Sequence, residues 1–250
     1  MNHLYLNQMH KIKLFEEFHS DKKLKIGIYH DKGVKKSTIQ VWNDFLYKFF
    51  NVEPFKLNSD NFKLESFKDL DLLIIPGGKA YQESLGISEE GKQDLKNWVS
   101  NGGKLLAVCA GFHLVAGGHK WSLDMIPVKR LEFQEEYLTP NVVYLNFEIT
   151  AFGKQVFEAS DPIVNLYYHG GPIVKYEEDG EFKVLLRFAE EVPHIKQHPD
   201  FVKGAIAGIW APYGTGEIIA ISPHIEKTPS QQKLLASAAR YLIDRNCQLR

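Results

Sequence analysis

Apolar residues in this chain fall into two kinds of block. Some alternate with polar residues, or run unbroken for a few positions, and stop at glycine or proline. Others recur three and four residues apart. The first kind predicts strands and the second helices. Leu24, Ile26 and Ile28 alternate with Lys25 and Gly27 and end at Tyr29-His30-Asp31, a first strand. Beyond the Lys32-Gly33 turn, Ile39, Trp42, Leu46 and Phe49 fall at helical spacing. Ser37 lies three residues before Gln40, a capping-box spacing. A second strand is predicted within 50–57, around Pro54. The run Leu70 to Ile75 stops at Pro76-Gly77-Gly78. Ser88 then caps a helix with Glu89 and Glu90 in its first turn and Leu95, Trp98 and Val99 on one face. Asn101-Gly102-Gly103 ends that helix. The unbroken Leu105-Leu106-Ala107-Val108 predicts a strand buried on both faces. Cys109 follows it, and a helix runs through Phe112, Leu114 and Val115.

The second half has a different rhythm. Val142 to Ile149 is β-rich. Phe152-Gly153-Lys154 predicts a turn into an antiparallel partner ending near Phe157. Val164 to Tyr168 is a further strand, closed by His169-Gly170-Gly171-Pro172. Val184 to Ala189 and Gly204 to Trp210 predict two more, and Gly214-Thr215-Gly216 makes a tight turn. Glu217 to Ile221 runs into Ser222-Pro223-His224-Ile225-Glu226. The last helix is predicted from Thr228, with Pro229 in its first turn and Leu234, Leu235, Ala238, Ala239, Leu242 and Ile243 toward the core. Alternating strands and helices followed by antiparallel strands predict an α/β class. It is a three-layer sandwich on a mostly parallel central sheet, with an antiparallel β insertion or extension in the second half. Residues 23–250 are expected to form a single domain and 1–22 an amino-terminal extension.

Composition narrows the function. Hydrophobic residues make up 44% of the 250, enough for a substantial core. The formal net charge of −1 argues against a general electrostatic grip on nucleic acid or anionic lipid. No apolar run reaches membrane-span length, and the amino terminus lacks the apolar core of a secretory signal. The two cysteines, Cys109 and Cys247, make a disulfide framework improbable, so a reducing, cytoplasmic setting is expected. His194, His198 and Asp200 do not form a recognised ligand spacing, so no metal site is predicted, and no cofactor is implied.

Three loops carry candidate chemistry. Cys109 lies in a small-x-Cys-x-small pattern, Ala107 to Gly111, at a strand-to-helix turn. Such a turn exposes a nucleophile at the sheet's carboxyl edge. A buried free cysteine is more often an inert hydrophobe, so the pentad alone decides nothing. Pro76-Gly77-Gly78 can aim backbone N–H groups at a developing oxyanion, or be a plain turn. In His224-Ile225-Glu226, an extended segment puts residues two apart on one side. Glu226 could then orient the His224 ring while His224 takes a proton from Cys109. Ligands bind at the carboxyl edge of open parallel sheets, where these loops would meet.

The IIPGG loop, the VCAG elbow and the late SPHIE segment resemble the class I glutamine amidotransferase-like superfamily. Within it, YHDKG after the first strand, YHGGP at 168–172 and GTGEIIAISPHIE before the last helix are similar to the biotin-protein ligase amino-terminal domain family. The resemblance covers roughly residues 24–245. It implies a flavodoxin-like fold and a Cys-His-Glu triad, with Cys109 as nucleophile, His224 as base and Glu226 as its partner. By the same resemblance, Gly78 and Ala110 lend oxyanion N–H groups. Amidotransferases usually have Gly where this chain has Ala107. His169 stands where the narrower family often has Asn.

Gly77, Gly78, Ala110, His169, Gly170 and Gly171 are therefore the expected oxyanion and substrate-binding residues. Two classes of function follow. One is a stand-alone thiol hydrolase or amidase, working on a small amide or related carbonyl through a thioester. The other is a non-catalytic small-molecule-binding or regulatory module. The expected partner is a small amide-type molecule rather than nucleic acid or membrane. Homo-oligomerisation or a completing partner protein stays open. Asp31 is read as either a cleft or a turn residue, His113 as a helix residue near the elbow, and Tyr167 and Tyr168 as core.

Overall fold

The computed structural model describes residues 23–130, 142–176, 180–192 and 202–244. Cys247, His194, His198 and Asp200 lie outside the described residues, as does the amino-terminal stretch 1–22.

The first half alternates strand and helix. Strand β1 (Ile26–Tyr29) leads to α1 (Lys36–Phe49), β2 (Phe55–Leu57), α2 (Leu64–Phe67) and β3 (Leu72–Ile75). Helices α3 (Ala80–Gly86) and α4 (Glu89–Ser100) precede β4 (Lys104–Val108), α5 (Ala110–Val115) and β5 (Val128–Arg130). In the second half come β6 (Val143–Ile149), α6 (Ala151–Phe157), β7 (Ile163–Tyr168), β8 (Val174–Tyr176) and β9 (Lys183–Phe188). The chain continues with β10 (Ile206–Tyr213), β11 (Gly216–Ile221) and α7 (Gln232–Asp244).

One sheet runs in the order β2-β1-β3-β4-β11-β10-β9-β6-β7, with β8 pairing β10 and β5 pairing β8 at its side. From β2 to β11 every neighbouring pair is parallel. From β11 to β7 every pair is antiparallel. The sheet is therefore flavodoxin-like on one side and extended by antiparallel strands on the other. Strands β1, β3, β4 and β11 point the same way and finish at one edge. The alternation through β10, β9 and β6 returns β7 to that direction, so the loop after Tyr168 arrives at the same edge.

Each face of the sheet is covered. Trp42, Phe45 and Leu46 of α1 join Leu235, Ala238 and Leu242 of α7 over one face. Leu95, Trp98 and Val99 of α4 join Phe112 and Leu114 of α5 over the other. All four residues of β3 and all five of β4 are buried, which explains why their sequences read as unbroken apolar runs. Only Lys104 departs from that chemistry, and it forms a buried ion pair with Glu217 (2.8 Å) at the opposite edge from the site.

Three local expectations differ from the structure. Residues 151–157 are helical rather than a return strand. Thr150 accepts a hydrogen bond from the Gly153 N–H (2.9 Å) and starts a helix there, and β7 is the antiparallel partner of β6. Ser37 does not cap α1, because the N-cap is Lys35 and no side chain caps it. Helix α7 begins at Gln232, not Thr228. The Thr228 hydroxyl instead donates to the His224 carbonyl (3.2 Å) and accepts from the Tyr167 N–H (3.1 Å). It fastens the preceding turn to the end of β7.

The Lys104–Glu217 pair gives a test of the fold. Lys104→Met removes the cationic partner of a buried carboxylate and should cost up to about 3–5 kcal/mol in urea unfolding. Lys104→Met with Glu217→Leu should recover most of that loss. A double variant as unstable as the single one would show that the pair matters for more than its own charge balance.

Candidate functional site

Cys109 sits between β4 and α5 with φ 52° and ψ −100°, a left-handed conformation that is strained for a residue with a side chain. Its neighbours hold it there. The Cys109 N–H donates to the Ile221 carbonyl of β11 (2.8 Å), and its carbonyl accepts from the His113 N–H (3.1 Å). Gly111 lies against the Ile75 carbonyl at the end of β3, where any Cβ would overlap that oxygen. The small residue after the cysteine is thus a steric requirement. The Cys109 thiol donates to the His169 carbonyl at 3.5 Å.

His224 faces the cysteine. A Cβ on Gly77 would overlap His224 Cε1 and come within 3.2 Å of Cys109 Cβ, so both side chains flank this glycine. His224 Nδ1 lies 2.6 Å from Glu226 Oε1, and both residues are buried. The sequence expectation placed the two on one side of an extended segment. In the structure Glu226 belongs to a 3-10 turn over Ile225–Lys227, and the turn brings its carboxylate back to the ring. The His224 backbone N–H donates to the Tyr167 carbonyl (2.8 Å), and the Tyr167 ring stands edge-on to the imidazole at 5.6 Å. Tyr167 is therefore part of the site's wall, while Tyr168 is core.

Burial alone would lower the basicity of His224. The Glu226 carboxylate, then charge on the Cys109 sulfur and hydrogen bonds to both, outweigh it and raise its pKa to about 10. These contacts favour the protonated imidazole.

These groups open on a cavity of about 760 Å³. Of the expected oxyanion and substrate-binding residues, Gly77, Gly78, Ala110, His169 and Gly170 line it. Gly171 does not. A Cβ there would overlap Ser222, and its carbonyl accepts from the Tyr168 hydroxyl (2.7 Å), so its place is in packing beneath the loop. The Gly78 N–H has no backbone partner among the described residues, and the Ala110 N–H opens a helix, where none is available. Asp31 is a turn residue, accepting from the N–H groups of Lys32 (2.8 Å) and Ser59 (2.7 Å). His113 also lines the cavity, and its Nε2–H donates to the Gly170 carbonyl (3.1 Å), bracing the loop after β7. Among the described residues, no group of three or more His, Cys, Asp or Glu is placed to hold a metal ion.

Several residues of the site had no counterpart in the sequence reading. Lys35, Thr38, Lys79, Trp121 and Lys227 line the cavity. Adjacency was the available signal: Lys79 follows the double glycine, Lys227 follows Glu226, and Lys35 closes the loop after β1. Glu83 was also missed. It is wholly buried on α3, its carboxyl lies against Gly78 and Gly33, and neither oxygen has a hydrogen-bond partner among the described residues. Burial first, and charge on Cys109 second, hold its carboxyl well above the usual carboxylate range. No cation pairs with it among the described residues, which favours the protonated carboxyl.

Comparison with known proteins agrees with this geometry at the level of fold. Residues 38–118 match the family model of the CobB/CobQ-like glutamine amidotransferase domain, from α1 to just past the elbow. The structure resembles PurLQS from Thermotoga maritima with a TM-score of 0.64 and 16% identity, over 88% of this chain and 100% of that one. A glutamine amidotransferase crystal structure matches with a TM-score of 0.61 and 16% identity, over 88% and 98%. The same fold recurs in Gan42B, a GH42 β-galactosidase, with a TM-score of 0.55 and 16% identity. There it covers 92% of this chain but 31% of that one. No curated protein sequence matches. The chain therefore has a class I glutamine amidotransferase-like fold. Among the described residues no helix is long and apolar enough to cross a membrane.

Glu83 supplies a prediction with a definite sign. Its pKa is higher folded than unfolded, so folding loses stability as pH rises from the unfolded value toward the folded one. Glu83→Gln removes that penalty. The melting temperature of the variant minus that of wild type should therefore increase over the pH range above the unfolded carboxylate value. A difference that is flat across this range would show that the carboxyl ionises as freely in the folded protein as in the unfolded one.

Proposed function

We propose that this chain is a thiol hydrolase of the amidotransferase-like type, cleaving an amide or related carbonyl through Cys109, His224 and Glu226. The observation that carries the reading is the shared placement of the Cys109 and His224 side chains on Gly77, with Glu226 buried 2.6 Å behind the imidazole. That is the order of nucleophile, base and orienter. The narrower kinship with the biotin-protein ligase amino-terminal family rests on the YHDKG, YHGGP and GTGEIIAISPHIE segments.

The steps follow from the geometry. The Cys109 sulfur, its proton held by His224, attacks the carbonyl carbon and forms a carbon–sulfur bond. The carbonyl oxygen becomes an oxyanion, received by the N–H groups of Gly78 and Ala110. As the oxyanion collapses, the carbon–nitrogen bond breaks and the protonated His224 gives its proton to the leaving amine. A thioester remains on Cys109. Neutral His224 then takes a proton from water, whose oxygen attacks the thioester. The acid leaves and Cys109 is restored with the proton back on His224. Glu226 keeps the ring oriented and supports its charge in both halves of the cycle. The elbow's strained backbone keeps the sulfur aimed into the cavity rather than into the core.

Alkylation separates this enzyme from a binding module that merely keeps the fold. A limited dose of iodoacetamide near neutral pH should modify Cys109 faster than Cys247 in the same sample, with denatured protein as the exposure control. His224→Ala should slow labelling of Cys109 about tenfold or more, because the sulfur loses the group that holds its proton. Glu226→Gln should slow it less. Both substitutions should lower hydrolysis of a small amide by on the order of 10²–10⁴-fold. Equal, slow labelling of Cys109 in wild type and His224→Ala would remove the activated nucleophile and leave the binding-module reading.

A further inference from the structure

The charged lining of the cavity is one-sided. Lys35, Lys79 and Lys227 line it, and among the described residues no aspartate or glutamate does. This is a local feature, since the chain as a whole carries a formal net charge of −1. Neither Lys35 nor Lys79 makes an ion pair among the described residues. The carboxyl of Glu83, on the helix that follows Lys79, is enclosed behind Gly78 and is not among the cavity's lining residues.

The two lysines come from loops that are tied together. The Lys79 N–H donates to the Gly33 carbonyl (2.9 Å), so the turn after β1 and the turn after β3 hold one geometry. Lys35 is also the N-cap of α1, a helix of 14 residues, and no side chain caps it. The N–H groups of Lys36 and Ser37 have no hydrogen-bond partner among the described residues. Thr38, in the same turn, is only 7% exposed, yet it lines the cavity and its hydroxyl is likewise unpartnered. A long helix directs partial positive charge and free donors from such an end. Two lysines that line the same cavity add positive charge to it and favour an anion there.

We propose that the cavity takes an amide that also carries an anionic group, a carboxylate or a phosphoryl group. Lys35, Lys79, the Thr38 hydroxyl and the amino terminus of α1 hold that group while the carbonyl lies at Cys109. The proposal rests on the hydrolase reading above and adds the charge of the substrate to it. Free glutamine fits less well than an amide without an amino group. Its ammonium would face lysines, and the lining has no carboxylate among the described residues to receive it.

Binding decides the matter without requiring turnover. Titration calorimetry on Cys109→Ser, at fixed ionic strength, compares glutaramate (a carboxylate), phosphonoacetamide (a phosphoryl group), glutamine and the neutral glutaramide. One of the two anionic amides should bind about tenfold or more tightly than glutaramide and glutamine, the gain of one charge-assisted contact. The stronger of the two identifies which anion the site is built for. Lys35→Met and Lys79→Met should each reduce that preference severalfold, and Lys35→Arg should retain it. Where circular dichroism shows that Cys109→Ser has not folded, the same ratios are read in wild type from protection of Cys109 against iodoacetamide. Failure of the hydrolase reading would look different: lysine-dependent binding of the anion with no hydrolysis of any amide. The proposal is overturned by no binding of either anionic amide, by neutral glutaramide or glutamine binding as tightly, or by a preference that survives both methionine substitutions.

Discussion

The left-handed backbone at Cys109 is the constraint on which the rest of the site depends. A side-chain-bearing residue at φ 52° and ψ −100° costs roughly 1–3 kcal/mol, and that cost persists only where the surroundings leave no alternative. Here β4 lies between β3 and β11, and both neighbours fix the turn at its end. Ile221 accepts the Cys109 N–H, and Ile75 presses its carbonyl against Gly111. A parallel arrangement is needed for this, because only parallel neighbours end at the same edge as β4. The same neighbours then release the loops that carry Gly77 and His224. Strain at one residue and convergence of the site thus have a single architectural cause.

Electrostatics divides the two buried carboxyls near the sulfur. Glu226 meets the imidazole of His224 at 2.6 Å, and each group supports the charge of the other in a place that water does not reach. Glu83 has no such partner, and burial keeps its proton on. Had both been ionised, the sulfur would stand between two negative charges, and attack on a carbonyl would build a third. With Glu83 neutral, the cationic lysines and His224 set the sign of the cavity's field. Glu83 also fills the space behind Gly78, so a buried acid and a glycine together define where that loop's N–H can point.

Much of this was legible in the sequence because its signals were steric. The runs in β3 and β4, the Ser88 cap and the glycine two residues after Cys109 each reflect a backbone or packing demand that few residues satisfy. The pairing of His224 with Glu226 was legible in outcome but not in route, since a 3-10 turn replaces the extended segment that the spacing implied. Other errors share a cause. Thr150 and Thr228 both look like helix starters, and only the first is one, because the Thr228 hydroxyl is taken by His224 and Tyr167. Helix α3 shows no apolar period because its inward residues are Glu83 and Ser84, while Tyr81 and Leu85 are exposed. Residues whose role is set by what surrounds them in three dimensions, such as Lys35 and Lys79, leave no pattern along the chain.

The fold narrows the chemistry without choosing it. A similar architecture occurs in a glutamine amidotransferase and as about a third of a β-galactosidase chain. Scaffolds of this kind therefore persist in different chemical settings. The family match ends at residue 118, before the segment that supplies His224 and Glu226. Chemistry is carried by groups that a scaffold alone would not maintain. A fold kept for binding has no use for a left-handed cysteine, which destabilises it, or for an ion pair buried behind a glycine that no other residue could replace. Each is a cost to folding that the proposed reaction at the sulfur would account for. Glu83 adds to that sum, since two buried oxygens without a hydrogen-bond partner among the described residues stabilise nothing by themselves. Several such costs gather around one sulfur atom, at the edge where the parallel strands end, and that concentration weighs the balance toward catalysis.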